Sequence, residues 1–203
     1  MPSYPDTLLD NTYKTVVKTH IEYAKEHGIP WGISESCYGL MDADQNYQYG
    51  AFGVPSLGFK RGLAENLVIA PYSSVMGLMI FSEEAYENLR RMEHYGFMGT
   101  YGFYESVDYT PARILRGQSH TIIRSFMSHH QAMSLLSLCY LLLDKPMQRR
   151  FLSNPVLKSA EQLLQEKVPE SEPFYPRMPQ SMLVEQNAME EEKFILIICK
   201  LFT

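Results

Sequence analysis

The stretch from residue 31 to residue 62 constrains this chain most, because its residues follow neither a helical nor a strand period. It holds the only Trp and six glycines, together with several Tyr and Phe side chains. Connections longer than about 12 to 15 residues are uncommon in compact domains unless they carry a function. We therefore interpret residues 31–62 as a functional loop. Its first ten residues contain one acid, Glu35.

The sequence on both sides of this loop predicts helices. Apolar residues recur at helical spacing over residues 6–27, and Gly28 provides a stop. Pro71 suits the first turn of a helix that covers residues 71–80. Residues 82–96 form an amphipathic pattern that starts with acids, as the positive end of a helix dipole prefers.

Residues 120–143 are apolar on nearly every helical face. This pattern predicts a long helix that is buried in the protein. A shorter helix follows Pro146, and another begins after Pro155. Because strand patterns are nearly missing, the predicted fold class is all-α, with the loops gathered at one end of the helices.

Residues 99–111 form a second loop rich in Gly and Tyr, which contains Glu105 and Asp108. Cleavage of a glycosidic bond uses two carboxyl groups, one as proton donor and one as base or nucleophile. Glu35 and Glu105, on separate loops, could form such a pair. A structural role stays open for each acid: Glu35 as a helix cap or hydrogen-bond acceptor, and the other two as loop caps.

Polar residues inside the apolar segment need partners. Arg124 should meet a carboxylate, with Glu105 or Asp108 as natural candidates, because an unpaired buried charge is costly. Neighbouring residues on a helix point about 100° apart. We therefore interpret His129 and His130 as one core histidine and one cavity-lining histidine rather than as a metal pair.

Three further features of the first loop have two interpretations each. Arg61 could clamp a substrate, although capping of the loop is the simpler role. Tyr38 and Tyr49 are individually expected to pack, but the aromatic residues together indicate a binding wall. Cys37 suggests a thiol nucleophile, but no base lies near it in sequence.

Charge and cysteine content exclude several classes of protein. The net charge is −5 and the pI is near 5.7, without a run of Lys or Arg, which argues against nucleic-acid binding. The three cysteines are widely spaced and odd in number, which fits a reducing compartment better than a disulfide framework. No secretion signal or membrane-spanning run is visible, so we expect a cytoplasmic protein.

The C-terminal part of the chain differs in character. Residues 170–203 are rich in Pro and acids at first, like a linker, and finish with a charged segment and a short apolar tail. We assign residues 1–169 to one helical domain segment and leave residues 170–203 without a fold.

Six blocks carry a resemblance to a known family. In order they read WGISES, YQYGAFGVPSLGFKRGLAENLVIAPY, NLRRME, YGFYESVDYTP, SFMSHHQAMSLL and PMQRRF. Over residues 7–169 they resemble the glucoamylase-like domain of cyclic β-1,2-glucan synthases, which are membrane-associated proteins. The resemblance implies an (α/α)6 toroid that cuts and rejoins linear β-1,2-glucan, closing it into a ring with retention of configuration.

By this resemblance, Glu35 and Glu105 are the catalytic carboxylates, and a retaining route would place them about 5 to 5.5 Å apart. The expected ligand is a β-glucan oligosaccharide. No metal or organic cofactor is implied, since paired carboxylates need neither. We expect the substrate to contact Trp31, Tyr38, Tyr49, Arg61, Tyr104, Asp108, Arg124, His129, His130 and Gln131.

A full toroid has about twelve helices and needs roughly 350 residues, so this chain corresponds to the C-terminal half of such a domain. Half a toroid would leave the apolar helix partly uncovered, and we expect self-association or a partner that carries the missing half. The alternative is a truncated, non-catalytic fragment that binds glucan or a protein, or a purely structural helical interaction protein.

Overall fold

The computed structural model describes residues 4–167. Its α-helices are α1 (Leu8–His27), α2 (Pro71–Gly77), α3 (Ser82–His94), α4 (Ser128–Leu142), α5 (Pro146–Leu152) and α6 (Pro155–Ser159). Its strands are β1 (Ser36–Met41), β2 (Tyr47–Gly50), β3 (Val68–Ile69), β4 (Met98–Gly99), β5 (Gly102–Phe103), β6 (Ser106–Asp108) and β7 (Thr121–Ile123). Short 3-10 helices cover Pro55–Leu57, Leu63–Glu65, Pro111–Arg113 and Ala160–Gln165.

Helix α1 confirms the helix predicted over residues 6–27. Thr7 caps its start, because the Thr7 side chain accepts a hydrogen bond from the Asp10 N–H at 3.2 Å. Gly28 ends it at a φ of 67°, a left-handed conformation that glycine adopts without a steric penalty. Helices α2 and α3 are likewise where the sequence predicts them, although α2 ends earlier, at Gly77.

Residues 31–62 contain more regular structure than the predicted loop. Strands β1 and β2 form an antiparallel hairpin in which Cys37 lies opposite Tyr49. The Asp42 side chain holds the turn by accepting two backbone N–H hydrogen bonds from it. Strand β1 begins directly after Glu35, so the hairpin helps to fix the position of that acid.

A second, three-stranded antiparallel sheet has the order β3-β6-β7. All residues of β6 are buried, and its Val107 lies opposite Ile69 on one side and Ile122 on the other. The described chain is about 50% helical and 14% strand, so the predicted all-α toroid is wrong. The strands are only two to six residues long, and a strand buried on both faces shows no alternation, so the sequence lacks the period-two signal.

The helix predicted over residues 120–143 is wrong in extent. Residues Thr121–Ile123 form β7, which pairs with β6, and α4 begins only at Ser128. The physical reason is local: Thr and Ile are β-branched and favour the pleated backbone when a neighbouring strand is available.

The predicted burial of this helix is wrong as well. α4 packs against α2 and turns His130 and Tyr140 inward. Its other faces are open: Leu135 is 62% exposed and Leu142 is 76% exposed. When the hydropathy is similar on every face of a helix, it does not identify the face that packs. The sequence therefore could not predict which face of α4 is buried.

Trp31 anchors the segment before β1. Its backbone N–H donates to the Asn88 Oδ1 at 3.1 Å, and its backbone carbonyl oxygen accepts from the Ser74 hydroxyl at 2.8 Å. The indole lies against Gly77, where an added Cβ would come within 2.5 Å of the ring. These contacts tie the segment to α2 and α3, and they fix the backbone four residues before Glu35.

Some predictions fall outside the described residues, namely the domain boundary at residue 169, the unassigned segment 170–203 and Cys199. Cys37 and Cys139 are free thiols. Within residues 4–167, none of the helices combines the length and the hydropathy that crossing a bilayer requires.

Candidate active site

Glu35 lies between the Trp31 segment and β1, and it is exposed. It lines a cavity of about 720 Å³ that α1 and α2 also border. The Tyr72 hydroxyl lies 2.7 Å from the Ser34 Oγ and donates to the Glu35 carbonyl oxygen at 3.2 Å. Helix α2 therefore fixes the backbone at Glu35, while its carboxylate remains at the cavity wall.

Glu105 and His130 form a buried pair next to this acid. Glu105 precedes the buried strand β6, and His130 lies in the first turn of α4. The His130 Nδ1 is 2.9 Å from one Glu105 carboxylate oxygen and 3.1 Å from the other. The Cys37 N–H donates to the same carboxylate at 3.2 Å. A carboxylate can only accept, so with Glu105 ionised the proton on Nδ1 points to Glu105 and Nε2 faces away from it.

Two tyrosines enclose the His130 imidazole. The Tyr72 ring stacks on it with centroids 3.9 Å apart and planes 13° apart. The Tyr49 hydroxyl lies 3.4 Å from Nε2. Burial raises the pKa of Tyr49 to about 12, and the nearby charges of Glu35 and Glu105 act in the same direction. Burial also raises the pKa of Tyr72, so both phenols keep their protons near neutral pH.

The start of α4 also brings two neighbouring histidines together beside Glu35. The rings of His129 and His130 have centroids 3.9 Å apart. One ligand atom from each, and one carboxylate oxygen of Glu35, all lie within 4.8 Å of one another. His130 is 1% exposed, as the interpretation of one core histidine requires, whereas His129 is exposed. The two rings nevertheless meet at the start of α4, beside Glu35.

Asp108 is not at the cavity. It is fully buried and forms an ion pair with Arg113, whose Nε is 2.6 Å from the carboxylate. The Gly39 N–H donates to the same group at 3.0 Å. The partner expected for this acid, Arg124, is instead exposed and lies 5.9 Å from the Tyr104 ring centroid. The predicted buried pair of Arg124 with Glu105 or Asp108 is therefore wrong, because Arg124 follows strand β7 and is not part of a buried helix.

The other residues predicted to contact the substrate do not lie together. Trp31 is buried but borders the cavity. Tyr38 packs edge-on against Phe52 and lies under the Arg113 guanidinium. Arg61 and Gln131 are exposed.

Tyr72, which contacts Glu35, Ser34 and His130, was not predicted from the sequence. Its only signal is its place after Pro71 at the start of a predicted helix, which gives no indication of these partners. What the arrangement offers chemically is an exposed carboxylate at a cavity, with a buried carboxylate–imidazole pair beside it. Such groups can give and take protons next to a bound hydroxyl-rich ligand.

Two comparisons with known proteins bear on this site. Residues 4–155 match the family described as "Putative glucoamylase". The chain is also similar to the cyclic beta-(1,2)-glucan synthase NdvB of Rhizobium meliloti (strain 1021), with 40% identity over 166 residues. That alignment covers 82% of this chain and 6% of the synthase, so the chain spans only a small part of its relative.

Proposed function

The chain belongs to the glucoamylase family, and on this premise we propose that it is a carbohydrate-active module that acts on β-1,2-glucan through Glu35 and Glu105. The observation that carries the proposal is the position of Glu35, an exposed carboxylate at the wall of a cavity of about 720 Å³. The similarity to a cyclic beta-(1,2)-glucan synthase supports the choice of glucan.

Glu35 is the proton donor in this proposal. Its backbone is held by the Tyr72 hydroxyl, while its side chain reaches the cavity. A proton passed from Glu35 to the glycosidic oxygen lets that oxygen leave as a hydroxyl group as the bond to the anomeric carbon breaks. When Glu105 has bonded to the anomeric carbon, the ionised Glu35 then takes a proton from the attacking hydroxyl group as that bond breaks. The hydroxyl group belongs to water in hydrolysis and to a sugar in transglycosylation.

Glu105 is the second carboxylate in this proposal. Its side chain is buried and held by His130 and the Cys37 N–H. In the direct route, Glu105 bonds to the anomeric carbon as the leaving oxygen takes the proton of Glu35, and His130 has to move aside. In the indirect route, His130, oriented by Glu105, takes the proton of the attacking hydroxyl group, and the pair stays in place. These two routes differ in their response to replacement of the side chain.

The first test is the turnover of linear β-1,2-glucan by Glu35→Gln. We expect a loss of about 10²- to 10⁴-fold, the usual contribution of a general acid, with an unchanged circular dichroism spectrum. Glu26→Gln is the matched control, since Glu26 is an exposed acid on α1. Turnover that persists in Glu35→Gln would refute the assignment.

A second test separates the roles of the two carboxylates. Azide added to the Glu105→Ala variant should restore glycosyl transfer only if Glu105 attacks the anomeric carbon directly, because azide then replaces the missing nucleophile. Restored transfer in Glu35→Ala with azide would assign the proton-donor role to Glu35 if the azide product keeps the configuration of the substrate.

A second candidate function is a glucan-binding or protein-binding fragment without turnover. The open faces of α4 favour it, with Leu135 at 62% and Leu142 at 76% exposure, because large exposed apolar patches mark contact surfaces. The protein partner would be a second copy of the chain or another protein. This candidate predicts glucan binding by calorimetry without any product.

A further inference from the structure

We propose that Glu35, His129 and His130 bind a divalent transition-metal ion, with Zn²⁺ as the ion that fits their chemistry best. Each residue offers one ligand atom, and the three atoms lie within 4.8 Å of one another. Two imidazoles and one carboxylate are a donor set that zinc sites use, with a further position open to water.

The spacing of the three atoms is close to what a metal requires. Zinc lies about 2.0 to 2.2 Å from nitrogen and oxygen ligands, so two ligands of a tetrahedral site are roughly 3.3 Å apart. Glu35 and His129 are exposed, so their side chains can rotate inward without breaking the core. His130 is 1% exposed and stays in place as the fixed ligand.

Glu105 prepares His130 for this role. Metal-binding histidines commonly donate their second ring N–H to a carboxylate, which fixes the tautomer and the orientation of the ring. Glu105 lies against Nδ1 with both oxygens, at 2.9 and 3.1 Å. Nε2 is therefore the nitrogen that His130 presents to an ion. The Tyr49 hydroxyl at 3.4 Å from Nε2 makes only a long contact, which an ion would displace.

The donor set also determines which ions should not bind. Mg²⁺ and Ca²⁺ prefer six or more oxygen ligands, and this cluster supplies only one carboxylate. The nearby Cys37 is not part of the cluster; its Sγ lies 3.7 Å from the Met127 sulfur, and burial raises the pKa of its thiol.

Metal binding would withdraw Glu35 from proton transfer, so Zn²⁺ should inhibit glucan turnover. Only this consequence rests on the proposed function. The binding itself is independent of it, and is measured without glucan.

The test is a titration of the purified full chain with Zn²⁺ in competition with a chromophoric chelator. We expect one Zn²⁺ per chain, and binding at least ten-fold weaker in Glu35→Gln and in His129→Gln. Glu105→Gln, which leaves all three ligands intact, should weaken binding by about 10- to 100-fold. The control is His27→Gln, since His27 is an exposed histidine on α1, and it should leave the affinity unchanged.

Both principal variants replace exposed side chains, so folding is expected to persist and is checked by circular dichroism. The spectrum of the Co²⁺-loaded chain should lack a thiolate charge-transfer band. Zinc affinity that is unchanged in folded Glu35→Gln and His129→Gln would overturn the proposal, and so would a thiolate band that disappears in Cys37→Ser.

Discussion

The Glu105 carboxylate lies against the Nδ1 of His130, with oxygens at 2.9 and 3.1 Å, and the two side chains are 0% and 1% exposed. This contact joins the turn before β6 to the first turn of α4. It also directs the Nε2 of His130 away from Glu105. The orientation of the histidine beside Glu35 therefore depends on an acid that does not reach solvent.

Loss of the Glu105 carboxylate should destabilise the fold. Glu105→Ala leaves the His130 Nδ1 and the Cys37 N–H without their acceptor, and a buried donor left unpaired typically costs about 1 to 3 kcal/mol. Urea unfolding measures the loss. Glu105→Gln should cost clearly less, because its amide oxygen still accepts a hydrogen bond. Equal losses in the two variants would contradict this account.

The ion pair of Asp108 with Arg113 should matter for stability rather than for substrate. Arg113→Met leaves a fully buried carboxylate without its charge partner, and we expect a loss of about 3 to 5 kcal/mol in the free energy of unfolding. Arg90→Met is the comparison, because it breaks an exposed pair with Glu93 that should contribute about 0 to 1 kcal/mol. Similar losses would show that the burial of Asp108 is not decisive.

Gly77→Ala should disturb the only tryptophan. A Cβ at this position would come within 2.5 Å of the Trp31 ring, so we expect the indole to shift and the free energy of unfolding to fall by about 1 to 3 kcal/mol. Tryptophan fluorescence reports the shift directly, as the chain has one Trp. Gly53→Ala is the control, because its Cβ would meet Leu63 only at 3.8 Å. An unchanged emission spectrum in Gly77→Ala would contradict the packing described.

Stability should fall as the pH drops below about 6.5, in part through His20. Burial lowers the pKa of His20 below its usual 6.5, so the unfolded chain binds the proton more readily than the folded chain. The stabilisation is complete above pH 6.5 and is lost as the pH falls through the lower folded pKa. His20→Gln should reduce the slope of unfolding free energy against pH in this range. Burial also lowers the pKa of His120, so part of the slope should remain in His20→Gln. A slope identical to that of the unmodified chain would exclude a contribution from His20.

Local signals predicted the end of α1 and the start of α2. Gly28 ends α1 and Pro71 starts α2, because caps and prolines act within a few residues of the chain. The strands were missed, since β6 is short and buried throughout and takes its form from β3 and β7 rather than from its own pattern.

The site was only partly predictable. The resemblance named Glu35 and Glu105, but their proximity to His130 depends on contacts between residues far apart in sequence. No local pattern records that Tyr72 would stack on His130. The prediction for Arg124 was wrong for the same reason. Its burial was inferred from a helix over residues 120–143, but residues 121–123 form β7 because they pair with β6.

The most direct test of the central claim is the mass of the products formed from linear β-1,2-glucan by the purified chain. We predict products that disappear in Glu35→Gln and persist in Glu26→Gln. Rings lighter than the matching linear chains by one water would identify transglycosylation, and shorter linear chains would identify hydrolysis. A folded chain that forms no product, or a Glu35→Gln variant that forms the same products, would contradict the account.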